Sequence, residues 1–374
     1  MSTTAARFQP FQMERWQSLW EHEVDYNLAD SAVRCAPLEL LLDGDDLQQL
    51  AALELFYPQV NGTELLRERI AESYSPQPRT DEILVTVGAA EANALVCQTL
   101  LEPGDRVTVI EPGYRQVRGI AENLGCSVDI VQLQAEDGWE LDVDALRAAI
   151  GPQTKLVCVV NPNNPTGTVL SEGARAALLD AVDATGAWLL ADEVYRGSEH
   201  DGVETASFWA THPRAICVNS LSKAYGLCGL RIGWVAARQP LLDDLWRRHE
   251  YAVISASLPS VFLAERALAK REALLARQRG LVRDGKELYA RWLAEHDALV
   301  TAQPTSATAL SFPRIESQLP SAEVAEEIRA RGSVLVIPGS MMGSEGHVRL
   351  TVGFEPEFLG PALDRIAGVL EALA

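Results

Sequence analysis

The segment 219-NSLSKAYGLCGLRIGW-234 decides the reading of this chain. It sets Ser220, Ser222, Lys223 and Arg231 within twelve residues, interleaved with glycines. The runs Ile216–Asn219 and Ile232–Ala236 on either side read as β-strands. Lys223 therefore follows a strand and stands among small and apolar residues. Desolvation there is expected to lower its pKa and make its amine nucleophilic. Ser220, Ser222 and Arg231 form a compact anion-binding set suited to a phosphate. The chain has only three other lysines, and each has a plain structural reading. Lys155 precedes a strand, and Lys270 and Lys286 lie on charged helix faces.

Outward from this segment, short β-rich runs alternate with helical patterns. Ile83–Val87, Arg106–Ile110, Ser127–Leu133, Leu156–Val160 and Trp188–Ala191 complete a set of seven strands. Several are apolar throughout, as strands covered on both faces must be. Glu91–Leu101, Gln116–Leu124 and Gly173–Ala184 read as helices between them. This alternation predicts an α/β fold with a mostly parallel seven-stranded sheet and helices on both sides. Residues 259–295 read as long charged helices. A smaller α+β unit follows, with helices near 321–331 and 357–373 and strands at Val334–Ile337 and Val348–Val352. The expected organisation is a large domain over residues 46–280 and a small domain from residues 1–45 and 281–374.

Two further segments follow strand ends, where ligands of open α/β sheets bind. In 159-VVNPNNPTG-167, two prolines and a glycine force an irregular loop that carries Asn161, Asn163 and Asn164. Alone, this is equally a turn without function. In 189-LLADEVYRG-197, Asp192 ends an apolar strand and Tyr195 lies three residues on. Alone, Asp192 could also cap a helix or bind a metal. A reactive lysine, a phosphate set, a carboxylate and an Asn/Tyr pair together point to one cofactor, pyridoxal phosphate (PLP). Its aldehyde needs a lysine, its ring nitrogen a carboxylate, its phenolic oxygen hydrogen-bond donors, and its phosphate hydroxyls, N–H groups and an arginine.

Composition removes other classes. The 374 residues are 47% apolar and 22% charged, with 52 acidic against 32 basic residues and a net charge of −20. Such a chain is a poor partner for nucleic acid or anionic lipid. Residues 1–100 hold 16 acidic and 6 basic residues and no lysine. The six cysteines are scattered without a CxxC pair, and no HxxxH or HExxH occurs, so neither a disulfide framework nor a metal site is expected. No apolar run approaches a membrane span and the N-terminal stretch MSTTAARFQPFQMERW lacks an apolar signal core, so a cytoplasmic location is expected. No GxxxxGK[ST] phosphate loop is present.

With NPNNPTG, DEVY and SLSKAYGLCGLRIGW in this order, the chain resembles the class I/II aminotransferases, PLP enzymes of fold type I, over roughly residues 50–355. The resemblance implies that Lys223 forms the Schiff base with PLP and shuttles the Cα proton. It implies that Asp192 pairs with the ring nitrogen, that Asn164 and Tyr195 hold the phenolic oxygen, and that Ser220, Ser222 and Arg231 bind the phosphate. Gly88, Ala89 and Ala90 in TVGAAEAN match the turn whose N–H groups also bind phosphate. Tyr114 in EPGY matches the aromatic that stacks on the ring. Tyr57 in FYPQVNG matches a tyrosine that reaches the phosphate of a neighbouring subunit, which implies a homodimer. Arg349 in HVRLTVGF matches the arginine that clamps the substrate carboxylate. Transamination of an amino acid is the implied activity.

One stretch departs from the family. Where the family has a glycine-rich segment near the N-terminus, this chain reads 26-YNLADSAVRCAP-37. That stretch resembles a branch of PLP enzymes acting on arginine or related cationic amino acids in natural-product pathways. Some members of that branch oxidise and some cyclise, and elimination or replacement uses the same carbanion chemistry. Where some oxidising members have a histidine, this chain has Ala32. Asp30 reads either as the cap of a short helix over Ser31–Val33, as a loop residue, or, with Glu14, as an acid that binds a cationic side chain.

Overall fold

The computed structural model describes residues 8–373. The first seven residues of the expected small domain lie outside that range.

Seven strands form one sheet: β1 Ile83–Thr86, β2 Arg106–Glu111, β3 Ser127–Gln132, β4 Thr154–Val160, β5 Trp188–Asp192, β6 Ala215–Ser220 and β7 Gly233–Ala236. Their spatial order is β1-β7-β6-β5-β4-β2-β3. Pairs from β6 across to β3 are parallel. β7 alone runs against both its neighbours, β1 and β6.

The apolar strands serve two cores at once. Val157 and Val159 of β4 and Leu189 and Ala191 of β5 face one side, where helices Glu64–Ala71, Val143–Ala149, Glu172–Thr185 and Leu258–Ala269 cover them. Leu156, Cys158, Leu190 and Ile216 face the other, under helices Gly88–Leu100, Gln116–Asn123 and Leu241–Ala252. Period-2 alternation thus points successive side chains into opposite cores, and both cores are apolar.

A separate core gathers Leu28, Tyr289, Trp292, Ile328, Val334, Leu350, Leu363 and Ile366. It draws on the N-terminal segment, the far end of the 25-residue helix Arg271–Glu295, and helices Ser321–Gly332 and Pro356–Leu373. The same long helix places Leu274 and Leu275 in the sheet core. Tyr26–Asn27 pairs in parallel with Val334–Leu335, which ties the N-terminal segment to the C-terminal unit. The strand expected over Val334–Ile337 is two short pieces, Val334–Leu335 and Ile337–Pro338. The helix Gln12–Trp20, unexpected from sequence, docks Met13 beside Leu335 and Ile337. No described helix is long and apolar enough to cross a membrane.

Candidate active site

The C-terminal ends of β4, β5 and β6, the start of the helix after β1, and the N-terminal segment converge on a cavity of about 440 Å³. Its lining includes Lys223, Asp192, Tyr195, Asn164, Tyr114 and Arg231.

Lys223 is partly buried. Its Nζ donates to Ser31 Oγ at 2.7 Å and lies 3.9 Å from Asp30 Oδ1. The expected lowering of its pKa does not occur. Burial pulls it down, but the facing Tyr195 and Asp30 outweigh burial and the opposing Arg349, and the net shift is upward. The sequence could not show that a carboxylate from residue 30 would stand beside residue 223.

Asp192 is 4% exposed at the end of β5. Asn93 Nδ2 donates to its Oδ2 at 2.9 Å, and Val194 N donates to its Oδ1 at 3.2 Å. Burial pushes its pKa up to about 6, against the pull of Asn93 and the Val194 N–H. Asn93 was not picked out from sequence, although an asparagine on an otherwise apolar helix face needs a partner. Tyr195 donates its hydroxyl to Ser31 O at 3.3 Å.

The three asparagines of the β4 loop divide their tasks. Asn161 Oδ1 accepts from Leu170 N, and Asn163 Oδ1 accepts from Thr166 N and Oγ1, so both stitch the loop together. Asn164 alone turns to the cavity, where its Oδ1 accepts from Arg349 Nη1 at 3.1 Å. Arg349 is fully buried, and its Nη2 donates to Ala29 O. Its Nε has no partner. Burial draws its pKa down, against Tyr195, Asp30 and Glu14.

Arg231 adopts φ 52°. Its Nη1 donates to Ser222 Oγ at 3.3 Å and to Cys228 O at 3.0 Å. Ser220 Oγ accepts from Ser222 N at 3.2 Å. Gly88 opens the helix Gly88–Leu100 with φ 77°, and a Cβ there would collide with the Arg231 guanidinium. A Cβ on Gly233 would come within 2.5 Å of Ala89 N. Both glycines let a helix N-terminus, the Arg231 guanidinium and β7 share one small space. Ala89 and Ala90 line the cavity there.

Tyr114 donates to Glu14 Oε1 at 2.9 Å and meets Phe11 edge-on, with ring centroids 5.2 Å apart. Glu14 lines the cavity from the N-terminal helix. Asp30 caps no helix: residues 31 and 32 form a bend, and its Oδ1 accepts from Ala32 N while facing Lys223. Tyr57 is apart from this group, 67% exposed and outside the cavity lining.

These features fit PLP. A buried carboxylate with a raised pKa stands ready for a ring nitrogen. The space between a helix N-terminus and Arg231 is a cradle that a Cβ would fill. An unpartnered guanidinium N–H of Arg349 is buried nearby.

Comparisons with known proteins agree. The family model described as aminotransferase class I and II matches residues 45–366. Among curated proteins, capreomycidine synthase of Streptomyces vinaceus is 32% identical over 83% of this chain and 79% of its own. An arginine–pyruvate transaminase of Pseudomonas aeruginosa is 29% identical over 86% of this chain and 84% of its own. The crystal structure of a PLP-dependent aminotransferase from Streptococcus suis superposes with a TM-score of 0.92 and 31% identity, over 98% of this chain and 99% of that one.

Proposed function

The chain belongs to the aminotransferase class I and II family, and from that premise we propose a division of labour among its own residues. It is a PLP-dependent aminotransferase of fold type I acting on an amino acid. PLP, when bound, supplies a carbonyl that condenses with amines and a ring that delocalises the negative charge left when the Cα proton departs.

Lys223 would hold the cofactor, then act as general base and acid at Cα once the substrate amine has replaced it. The observation that carries this reading is the position of Lys223 between Tyr195 and Asp30, on the loop that also bears Arg231. The raised pKa keeps Lys223 protonated beside these neighbours, and it must shed that proton before its nitrogen can add to a carbonyl or take a proton from Cα.

Asp192 would pair with the protonated ring nitrogen, and Asn93 would hold its carboxylate in register. Tyr195 and Asn164 would donate to the phenolic oxygen. Gly88, Ala89 and Ala90, through their N–H groups, would bind the phosphate with Ser220, Ser222 and Arg231. Tyr114 would cover the ring face. Arg349 would exchange its contacts to Asn164 and Ala29 for the substrate carboxylate, whose two oxygens match a guanidinium fork.

Asp30 and Glu14 would face the far end of the substrate. Glu14 lines the cavity and Asp30 stands 3.9 Å from the Lys223 amine; two acids so placed favour a cationic side chain, and the likeness to an arginine–pyruvate transaminase supports the same substrate class. The second reading is a cyclase, elimination/replacement enzyme or oxidase acting on such an amino acid in secondary metabolism. The likeness to capreomycidine synthase supports it. Natural-product biosynthesis is the setting that both readings share.

Residues 46–280 would form the large domain, and the remaining N- and C-terminal residues the small one. A cytoplasmic homodimer completes the proposal. Leu55, Phe56 and Tyr57 are 84%, 75% and 67% exposed, an apolar run that a second copy would cover while bringing Tyr57 to its phosphate.

The deciding experiment incubates the PLP-loaded enzyme with a panel of amino acids, arginine among them, without a keto acid. Stoichiometric pyridoxamine phosphate supports transamination. Repeated turnover to ammonia, peroxide or a cyclised product supports the second reading.

A further inference from the structure

Six cysteines are free, and two of them, 193 positions apart in sequence, meet at the edge of the active site. Cys35 Sγ and Cys228 Sγ lie 3.5 Å apart. Cys35 is exposed and sits in the segment Asn27–Pro37. That segment is a strap that brings Ser31 to the cavity lining and carries Asp30, and both residues face Lys223. Cys228 lines the cavity and belongs to the loop that bears Lys223 and Arg231. The backbones are already tied beside the thiols, where Ala36 N donates to Gly226 O at 3.0 Å.

We propose that Cys35 and Cys228 are a redox modification site, closing to a reversible disulfide that staples the strap onto the Lys223 loop. The geometry needs little change. A disulfide is about 2.05 Å long with Cβ atoms about 3.8 Å apart, within reach of side-chain rotation from a thiol contact. The chemistry also favours the pair. The Cys35 S–H stabilises a thiolate on Cys228, Lys223 and Arg231 assist against burial and Asp30, and the Cys228 pKa falls to about 6. A thiolate beside a resolving thiol is the arrangement that peroxide-sensitive sites require.

The electrons and atoms balance with hydrogen peroxide as the oxidant. The Cys228 thiolate attacks one peroxide oxygen, the O–O bond breaks, and hydroxide leaves, giving a sulfenic acid. The Cys35 sulfur then attacks the Cys228 sulfur, the S–O bond breaks, and the departing oxygen leaves as water with the thiol proton. The two thiols are oxidised by two electrons and the peroxide is reduced to water. A dithiol reductant reverses the bond by exchange.

The staple would hold Asp30 and Ser31 against Lys223 and keep the strap from lifting to admit or release a substrate. Of the other four cysteines, Cys97, Cys158 and Cys217 are buried, and the Cys126 thiol donates to Glu102 O rather than meeting a second thiol.

The test treats the PLP-loaded enzyme with hydrogen peroxide, quenches it, and digests it with trypsin under non-reducing conditions. The expected result is a cross-link between peptides 35–67 and 224–231, each of which contains a single cysteine. It should appear with the loss of two titratable thiols and the mass of two hydrogen atoms, and disappear with dithiothreitol. Turnover should fall with the cross-link and recover with the reductant. Cys35→Ser should keep basal turnover and form no cross-link after peroxide. The site is overturned if the two peptides remain unlinked while Cys228 is oxidised further, or if the cross-link joins other cysteines. The stapling consequence is overturned if the fully cross-linked enzyme turns over as fast as the reduced one. The cross-link is read on thiols alone, so its failure is distinct from any error in the assigned reaction.

Discussion

Asn93 donates a 2.9 Å hydrogen bond to Asp192 from the helix that also begins against Arg231 at Gly88. One helix would therefore set both ends of the proposed cofactor space, its first turn at one end and its second at the other. Asn93→Ala removes a donor from a buried carboxylate whose pKa burial already raises to about 6. The pKa should climb further and PLP affinity should fall by about 1–3 kcal/mol, the cost of a lost hydrogen bond to a buried group. Equilibrium dialysis against PLP at pH 7 and pH 8 measures it, and the deficit should narrow at the higher pH.

The same carboxylate makes the PLP-free chain sensitive to pH. Its folded pKa lies above the ordinary value, so the stability contributed by the neutral form is complete below about pH 4 and is lost as pH rises through about 6. Asp192→Asn has no such loss. Thermal unfolding of the two PLP-free proteins should show the variant gaining on the wild type by on the order of 2–3 kcal/mol between pH 4 and pH 7. Parallel curves across that range would contradict the assignment.

Lys223→Ala should retain the fold and form no borohydride-stable adduct with PLP. Its turnover should drop by at least about 10²–10⁴-fold, the range for a lost general acid–base group. A persistent adduct in the variant would move the linkage to another amine.

Arg349→Lys keeps a positive charge but loses the planar fork. Arg349 is fully buried, so the loss should reach about 2–5 kcal/mol in kcat/KM, expressed mainly in KM, with the PLP spectrum unchanged. Steady-state kinetics across amino acids should show the same loss for every side chain, because the carboxylate is common to all.

Asp30→Asn separates substrates instead. Asp30 is partly open to water, so an ion pair with a cationic side chain is screened and is worth about 1 kcal/mol, roughly fivefold in kcat/KM. Any change felt through Lys223 is common to all substrates, and arginine-like amino acids should lose that factor in addition to it. Equal losses for both would remove Asp30 from side-chain recognition.

Much of this was legible in the sequence. The seven strands stood out because each feeds apolar side chains to two cores, leaving unbroken runs such as 188-WLLAD-192. Residues 159–167, 189–197 and 219–234 sit where strands end, so strand assignment also located the site. What escaped the sequence depends on distance. Ser31 and Asp30 reach Lys223 across about half the chain, and Asp30 joins the nearby Tyr195 in holding the lysine's pKa up against burial. Asn93 lies on a helix with no motif of its own. The helix Gln12–Trp20 has no side-chain cap and follows no motif, so nothing in the sequence marks where it starts.

The reversal of β7 sets which parts of the molecule can diversify. Because that strand turns back between β1 and β6, residues 221–232 must span a fixed gap with both ends held in ladder register. A single insertion or deletion there would shift Lys223, Cys228 and Arg231 relative to one another. The N-terminal helix is held by side-chain packing on Leu335 and Ile337, and a turn at residues 21–25 joins it to the ladder that begins at Tyr26. A library of length variants should therefore tolerate changes in residues 21–25 and reject them in residues 221–232. New substrates would be reached by redrawing the cover while the cofactor frame stays constant.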